Sequence, residues 1–177
     1  RGSSAIILVA SLVFALGCTS PASPAQAPSN NTNVREEYFS VTLPGAWSLA
    51  PESDEDTWIY LSDSGSEQLT VSLMWAKAPL PSEEQTRTLD RLAGIWRDNI
   101  AQQSPKRMTD TEYSDRDGVR VAYFDGADAE DESRGFRCLA LGSPTVIGVF
   151  YYESVGVASS DADLRAQVII DSASVVP

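Results

Sequence analysis

Tyr38-Phe39-Ser40-Val41-Thr42-Leu43-Pro44-Gly45-Ala46-Trp47 decides how the rest of the chain is read. Its first six residues alternate apolar and small polar side chains, the two-residue period of a half-buried strand. Pro44-Gly45 ends the strand, because proline donates no backbone N–H and glycine suits a turn. Trp47 is expected to pack under that turn. Two more strand-like runs follow closely. Residues 57–61 (TWIYL) form one, Asp63-Ser64-Gly65-Ser66 is a hairpin turn, and residues 69–75 (LTVSLMW) form the other. Leu69, Val71, Leu73 and Trp75 then share one face. Connections this short make the sheet antiparallel, since a parallel crossover needs a dozen residues or more.

The pattern changes after Pro79 and Pro81. Ser82 and Gln85 have the spacing of a capping box, and Glu83 and Glu84 suit the positive end of a helix. Leu89, Leu92, Ala93, Trp96 and Ile100 then make one apolar stripe, which predicts a helix over residues 83–102. Pro105 follows its end. Residues 106–113 read as a weak strand and residues 119–124 (VRVAYF) as a clear one, across the turn Asp115-Arg116-Asp117-Gly118. Residues 125–132 read as an acidic loop. Residues 134–141 and 145–152 form a hairpin about Gly142-Ser143-Pro144. Ser160 and Asp163 resemble a cap for a final helix with Leu164, Val168 and Ala173 on its buried side and Ile169 beside them.

The resulting order is β-β-β-α-β-β-β-β-α. It predicts an α+β domain: a mainly antiparallel, twisted sheet of about six to seven strands with two helices packed on it. At this point the residues meet a family. YFSVTLPGAW (residues 38–47) resembles the opening of the PsbP/Mog superfamily, a strand and a Leu-Pro-x-x-Trp-type turn before a meander. LRAQVIIDSASVV (residues 164–176) is similar to that superfamily's closing helix. The resemblance spans residues 37–177 and implies the same fold. Its bacterial members include DcrB-like envelope lipoproteins. Better-known members are binding or assembly factors: PsbP supports the oxygen-evolving side of photosystem II, and Mog binds the Ran GTPase. Their functional residues match no motif here, so none is carried over.

Ahead of the domain, residues 5–18 read AIILVASLVFALGC. The uncharged run is too short to cross ~30 Å of hydrocarbon and suits the h-region of a signal peptide. Arg1 would remain from a basic n-region. Ala15-Leu16-Gly17-Cys18 resembles the bacterial lipobox, though Ala15 departs from the more typical Leu. That resemblance implies cleavage after Gly17, a thioether-linked diacylglycerol on Cys18, and an N-acyl chain on the new terminus. More than one acyl chain, each burying CH₂ groups at ~0.8 kcal/mol, makes attachment stable. The plainer reading is an ordinary secretory signal with Cys18 incidental. Residues 19–33 (TSPASPAQAPSNNTN) have the composition of a disordered spacer. The expected organisation is therefore residues 1–17 as signal peptide, 18–33 as lipid-anchored linker and 34–177 as one domain. The location is the bacterial cell envelope; in a Gram-negative organism Thr19 favours outer-membrane sorting, facing the periplasm.

Composition narrows the function further. The 25 acidic and 13 basic side chains give a formal charge of −12, which opposes nucleic-acid binding and charge-driven docking on anionic lipid. There is no histidine, which removes the commonest general base and zinc ligand. If Cys18 is acylated, Cys138 is left as a lone thiol and reads as a small buried hydrophobe.

Three clusters are candidate sites. Asp125, Asp128, Glu130, Asp131 and Glu132 offer hard oxygen ligands for Ca²⁺, although EF-hand spacing is absent and a solvated loop explains them as well. Asp54-Glu55-Asp56 admits carboxylate acid–base chemistry, with the same plain alternative. Phe150-Tyr151-Tyr152 puts neighbouring rings on opposite faces of one strand, so at least one ring is expected away from the core, under a helix or at a partner surface; Trp58 is a second candidate for exposure. The favoured reading is a non-enzymatic, membrane-anchored lipoprotein that binds an envelope protein or supports an assembly, without a cofactor. The alternative is a module that binds a small ligand or Ca²⁺, with a carboxylate hydrolase a remoter form of it.

Overall fold

The computed structural model describes residues 31–103, 106–131 and 133–176. Cys18, the cleavage site, the spacer up to residue 30 and Glu132 lie outside the described residues. The chain begins with β1 (Asn31–Arg35), β2 (Phe39–Pro44), β3 (Trp47–Leu49), β4 (Thr57–Ser62) and β5 (Glu67–Trp75), followed by α1 (Ser82–Gln103). It continues with β6 (Lys106–Met108), β7 (Glu112–Arg116), β8 (Val119–Asp128), β9 (Arg134–Gly142) and β10 (Val146–Val155), then α2 (Ser159–Ser172) and β11 (Ser174–Val175).

Eight strands form the central sheet, in the order β3-β4-β5-β10-β9-β8-β6, with β7 also paired to β8. A second sheet has the order β1-β2-β11. Pairing of named strands is antiparallel throughout. The α+β class and the antiparallel sheet are as expected. The strand count is larger, because Trp47–Leu49 forms its own edge strand and the weak run after Pro105 divides into β6 and β7. The expected spacer does not reach residue 33: Asn31, Thr32 and Asn33 pair with Pro44, Leu43 and Thr42. Polar composition hid this strand, but an edge strand needs only a backbone partner.

The central sheet is covered on both faces. On one side α1 buries Leu89, Ala93 and Ile100 against Ala122, Phe124, Phe136, Cys138, Ile147, Val149 and Tyr151. On the other, α2 and the small sheet bury Ala166, Ile169, Phe39, Val41 and Leu43 against Leu69, Val71, Leu139, Phe150 and Tyr152. Ser82 is already helical, and the Gln85 amide donates to the Leu80 carbonyl at 2.7 Å instead of completing a capping box.

α2 turns a different face inward from the one its larger apolar residues predict. Leu164 is 70 % exposed and Val168 37 %, while Ala162, Ala166, Ile169 and Ala173 are buried. Small side chains let the helix lie close on the sheet, so contact distance outweighs side-chain size. The helix starts after Ala158 without a side-chain cap. At its other end Arg116 Nη1 donates to the carbonyls of Ile170 (2.8 Å) and Ala173 (3.4 Å), satisfying acceptors the helix leaves free.

Gly126 pairs with Met108 where β6 lies against β8, and leaves no room for a side chain. A Cβ there would stand 2.2 Å from the Arg107 carbonyl oxygen and 2.7 Å from the Phe136 ring. Gly126→Ala should therefore destabilise the fold by about 2–3 kcal/mol through overpacking. Urea unfolding would show this as a lower midpoint with an unchanged slope.

Candidate binding surface

Phe150, Tyr151 and Tyr152 do not form a partner surface: all three are buried. Phe150 lies edge-on to Phe39 at 6.0 Å, and Tyr151 stacks on Trp96 at 5.5 Å. The Tyr152 hydroxyl donates to Glu67 Oε1 at 2.7 Å. β10 is central and covered on both faces, so its continuous apolar run is that of a fully buried strand. Trp58 is half-buried, edge-on to Phe39 at 5.1 Å.

The acidic run is not a free loop. Residues 125–128 finish β8. Asp125 Oδ2 accepts from the Tyr123 hydroxyl at 3.0 Å and stands 3.6 Å from Arg137 Nε. Asp128 is buried, and its Oδ1 accepts the backbone N–H groups of Glu130 (2.9 Å) and Asp131 (3.3 Å), which shapes the turn. Glu130 and Asp131 are exposed. Among the described residues no three His, Cys, Asp or Glu side chains stand together as a metal site. Asp54, Glu55 and Asp56 are exposed as well, and Asp54 Oδ1 accepts the Asp56 N–H at 3.0 Å.

A cavity of about 150 Å³ lies between the start of α2 and the ends of β8, β9 and β10, lined by Ser133, Arg137, Tyr152, Ser154 and Asp163 among others. Arg137 is bonded there to Asp163 and faces Asp125, so its charge is already matched. Nearby, buried Glu67 is paired with partly exposed Arg165: Arg165 Nε donates to Glu67 Oε1 at 2.6 Å, and Arg165 Nη2 to the Pro44 carbonyl at 2.9 Å. This arrangement fastens α2 to β5 and β2.

Burial governs the titratable groups of the core. It raises the pKa of the Cys138 thiol and suppresses the thiolate needed for reaction. It also raises the hydroxyl pKa values of Tyr60, Tyr123, Tyr151 and Tyr152, chiefly by desolvation and then by neighbouring carboxylates. Unfolded tyrosine ionises near 10. Above that pH the native state binds more protons than the unfolded one, so stability is intact below pH 10 and falls as pH climbs further. In an alkaline titration followed at 295 nm, these tyrosines should ionise only together with loss of circular dichroism. Ionisation near pH 10 with the dichroism unchanged would contradict their burial.

Tyr113, bonded to Asp90, is 45 % exposed, and a second exposed aromatic surface holds two rings in contact. Trp75, the last residue of β5, is 42 % exposed, and Val176 is 45 % exposed. Partly exposed Tyr38 meets Trp75 edge to face, with centroids 5.5 Å apart and planes at 83°. The Val176 N–H donates to the Tyr38 carbonyl at 2.8 Å, which sets Val176 beside Tyr38. Alternation puts Trp75 on the same face as Leu73, which predicts core packing for it; the structure leaves it 42 % exposed instead. The cover on that face ends too early to reach it: Val175 packs at the level of Leu73 and Gly148, and β11 stops there. The only hint in the sequence is the Ala-Lys-Ala-Pro that follows Trp75, which marks a strand end.

No protein-family model matches this chain, and no curated protein matches it. Solved structures do resemble it. Cyanobacterial PsbP (CyanoP) from Synechocystis sp. PCC 6803 superposes with a TM-score of 0.56 at 13% identity, covering 89% of this chain and 98% of that one. LpqN, involved in cell envelope biogenesis of Mycobacterium tuberculosis, has a TM-score of 0.54 at 13% identity, covering 84% and 91%. The Saccharomyces cerevisiae Ran-binding protein Mog1p gives 0.48 at 10% identity, covering 83% and 96%. The first two show that the fold is PsbP-like, as the ends of the domain imply.

Proposed function

We propose that this protein is a lipid-anchored component of the bacterial cell envelope that binds a protein partner and performs no catalysis of its own. The observation that carries the reading is the exposed surface of Tyr38, Trp75 and Val176. Tyrosine and tryptophan, each an apolar ring with a polar tip, are enriched at interaction surfaces. The lipobox-like Ala15-Leu16-Gly17-Cys18 supports the anchor, and a structural neighbour involved in cell envelope biogenesis supports the compartment. The hairpin orients the surface. Asn31, where a tether would enter, pairs with Pro44 at the open end, whereas Tyr38 sits in the turn at the closed end, roughly 13 Å along β1 at strand rise. An anchor at Cys18 would leave the aromatic surface at the end away from the tether. In a Gram-negative cell, Thr19 would send the protein to the outer membrane, facing the periplasm.

The test is affinity purification from detergent-solubilised membranes of intact chain, Cys18→Ala and Trp75→Ala, read by mass spectrometry. Acyl mass on Cys18, together with a reproducible partner that Trp75→Ala loses, is the expected result. Absence of acyl mass removes the anchor. An unaltered partner set with Trp75→Ala removes this surface from the reading.

A further inference from the structure

The patch has a charge environment that its apolar residues alone do not disclose. The Leu73 N–H donates to the Asp56 carbonyl at 2.9 Å, and Thr57 pairs with Ser72. The exposed run Asp54-Glu55-Asp56 therefore lies beside the end of β5 that carries Trp75. On the other flank, exposed Glu37 precedes Tyr38 and raises its hydroxyl pKa, first by hydrogen bonding and then by charge. Two aromatic walls near a right angle, flanked by carboxylates, offer a cation both a ring face and a countercharge. The net charge of −12 adds a long-range attraction of the same sign.

We infer that the Tyr38–Trp75 corner receives a lysine or arginine side chain from an extended, basic and apolar segment of the partner protein. This rests on the partner-binding reading and names the chemistry of the same surface. A purely apolar segment would desolvate the neighbouring carboxylates without compensation. A choline headgroup carries a phosphate that those carboxylates repel, and the corner lies away from the tether's entry. Apolar side chains beside the cation would cover Val176.

The full chain carrying Cys18→Ala can be titrated with acetyl-Lys-Leu-Lys-Leu-Lys-Leu-amide while the Trp75 indole N–H resonance is followed by NMR. Comparison probes are the peptide with norleucine in place of lysine, and phosphatidylcholine vesicles. The lysine peptide should shift the Trp75 resonance and weaken steeply with salt. Trp75→Ala should lower affinity about tenfold and Trp75→Phe much less, since a ring face is kept. Glu37→Gln should lower it about threefold, and Lys77→Gln should raise it by removing the cation two residues beyond Trp75. Thermal unfolding of each variant separates lost binding from lost folding. Equal binding of the norleucine peptide, or binding of the vesicles but not the lysine peptide, would overturn cation recognition. If the lysine peptide leaves Trp75 unmoved while Trp75→Ala still loses the membrane partner, cation recognition fails and partner binding stands. If Trp75→Ala keeps the partner as well, both fail.

Discussion

Phe150→Ala should cost about 3–5 kcal/mol of folding stability, the range for truncating a buried phenylalanine. Phe150 is 2 % exposed, lies edge-on to Phe39, and sits on the strand that joins both halves of the central sheet. The loss is a large part of the ~5–15 kcal/mol that stabilises an ordinary domain. Urea unfolding followed by circular dichroism should show a much lower midpoint, and expression at 37 °C should fall. Trp75→Ala is the contrasting change. Its ring is nearly half exposed, so its effect on stability should stay near 1 kcal/mol or below while partner capture is lost. The opposite pattern, a stable Phe150→Ala that no longer captures a partner, would return the interface to β10.

Arg165→Ala should destabilise the fold by about 3 kcal/mol. Glu67 is 3 % exposed, and its Oε1 accepts from both Arg165 Nε and the Tyr152 hydroxyl. Removing the guanidinium leaves a buried carboxylate with one neutral donor, the costly way to break such a pair. It also frees the Pro44 carbonyl, so α2 loses its ion pair to β5 and one of its bonds to β2, keeping the bond from the Thr42 N–H to Ser172 Oγ. Some relief is expected because the arginine is partly exposed and water can reach its place. The double variant Arg165→Met with Glu67→Leu should be less destabilised than Arg165→Ala, since both charges are then gone and apolar volume remains. Thermal unfolding of the single and double variants gives the comparison. A double variant clearly less stable than the native chain would show that the pair contributes net stability over an apolar replacement; one at least as stable would leave the pair the role of specifying where α2 docks.

Local pattern determined much of this protein. Alternation in Tyr38–Leu43 and Leu69–Trp75 marks strands, and the stripe Leu89–Ile100 marks the face that α1 buries. These follow from backbone periods of two and 3.6 residues, which a sequence displays directly. The short connections made the sheet antiparallel, and missing histidine narrowed the chemistry. Tertiary structure decided what covers each face. Phe150, Tyr151 and Tyr152 are buried because α1 lies on one side of β10 and α2 with the small sheet on the other, and neither contact is local. α2 buries Ala162, Ala166 and Ile169 in place of Leu164 and Val168 because close approach to the sheet selects small side chains. Asp125 belongs to a strand because β9 supplies eight pairing partners along β8, the last at Ala127, and Asp128 because it pairs with Lys106 of β6; this pairing outweighs their loop-like composition. Trp75 obeys the alternation of its strand and is exposed because Val175 of β11 packs at the level of Leu73 and leaves the indole partly open. Periodicity specifies which side a residue faces; only the packed chain specifies whether anything lies there.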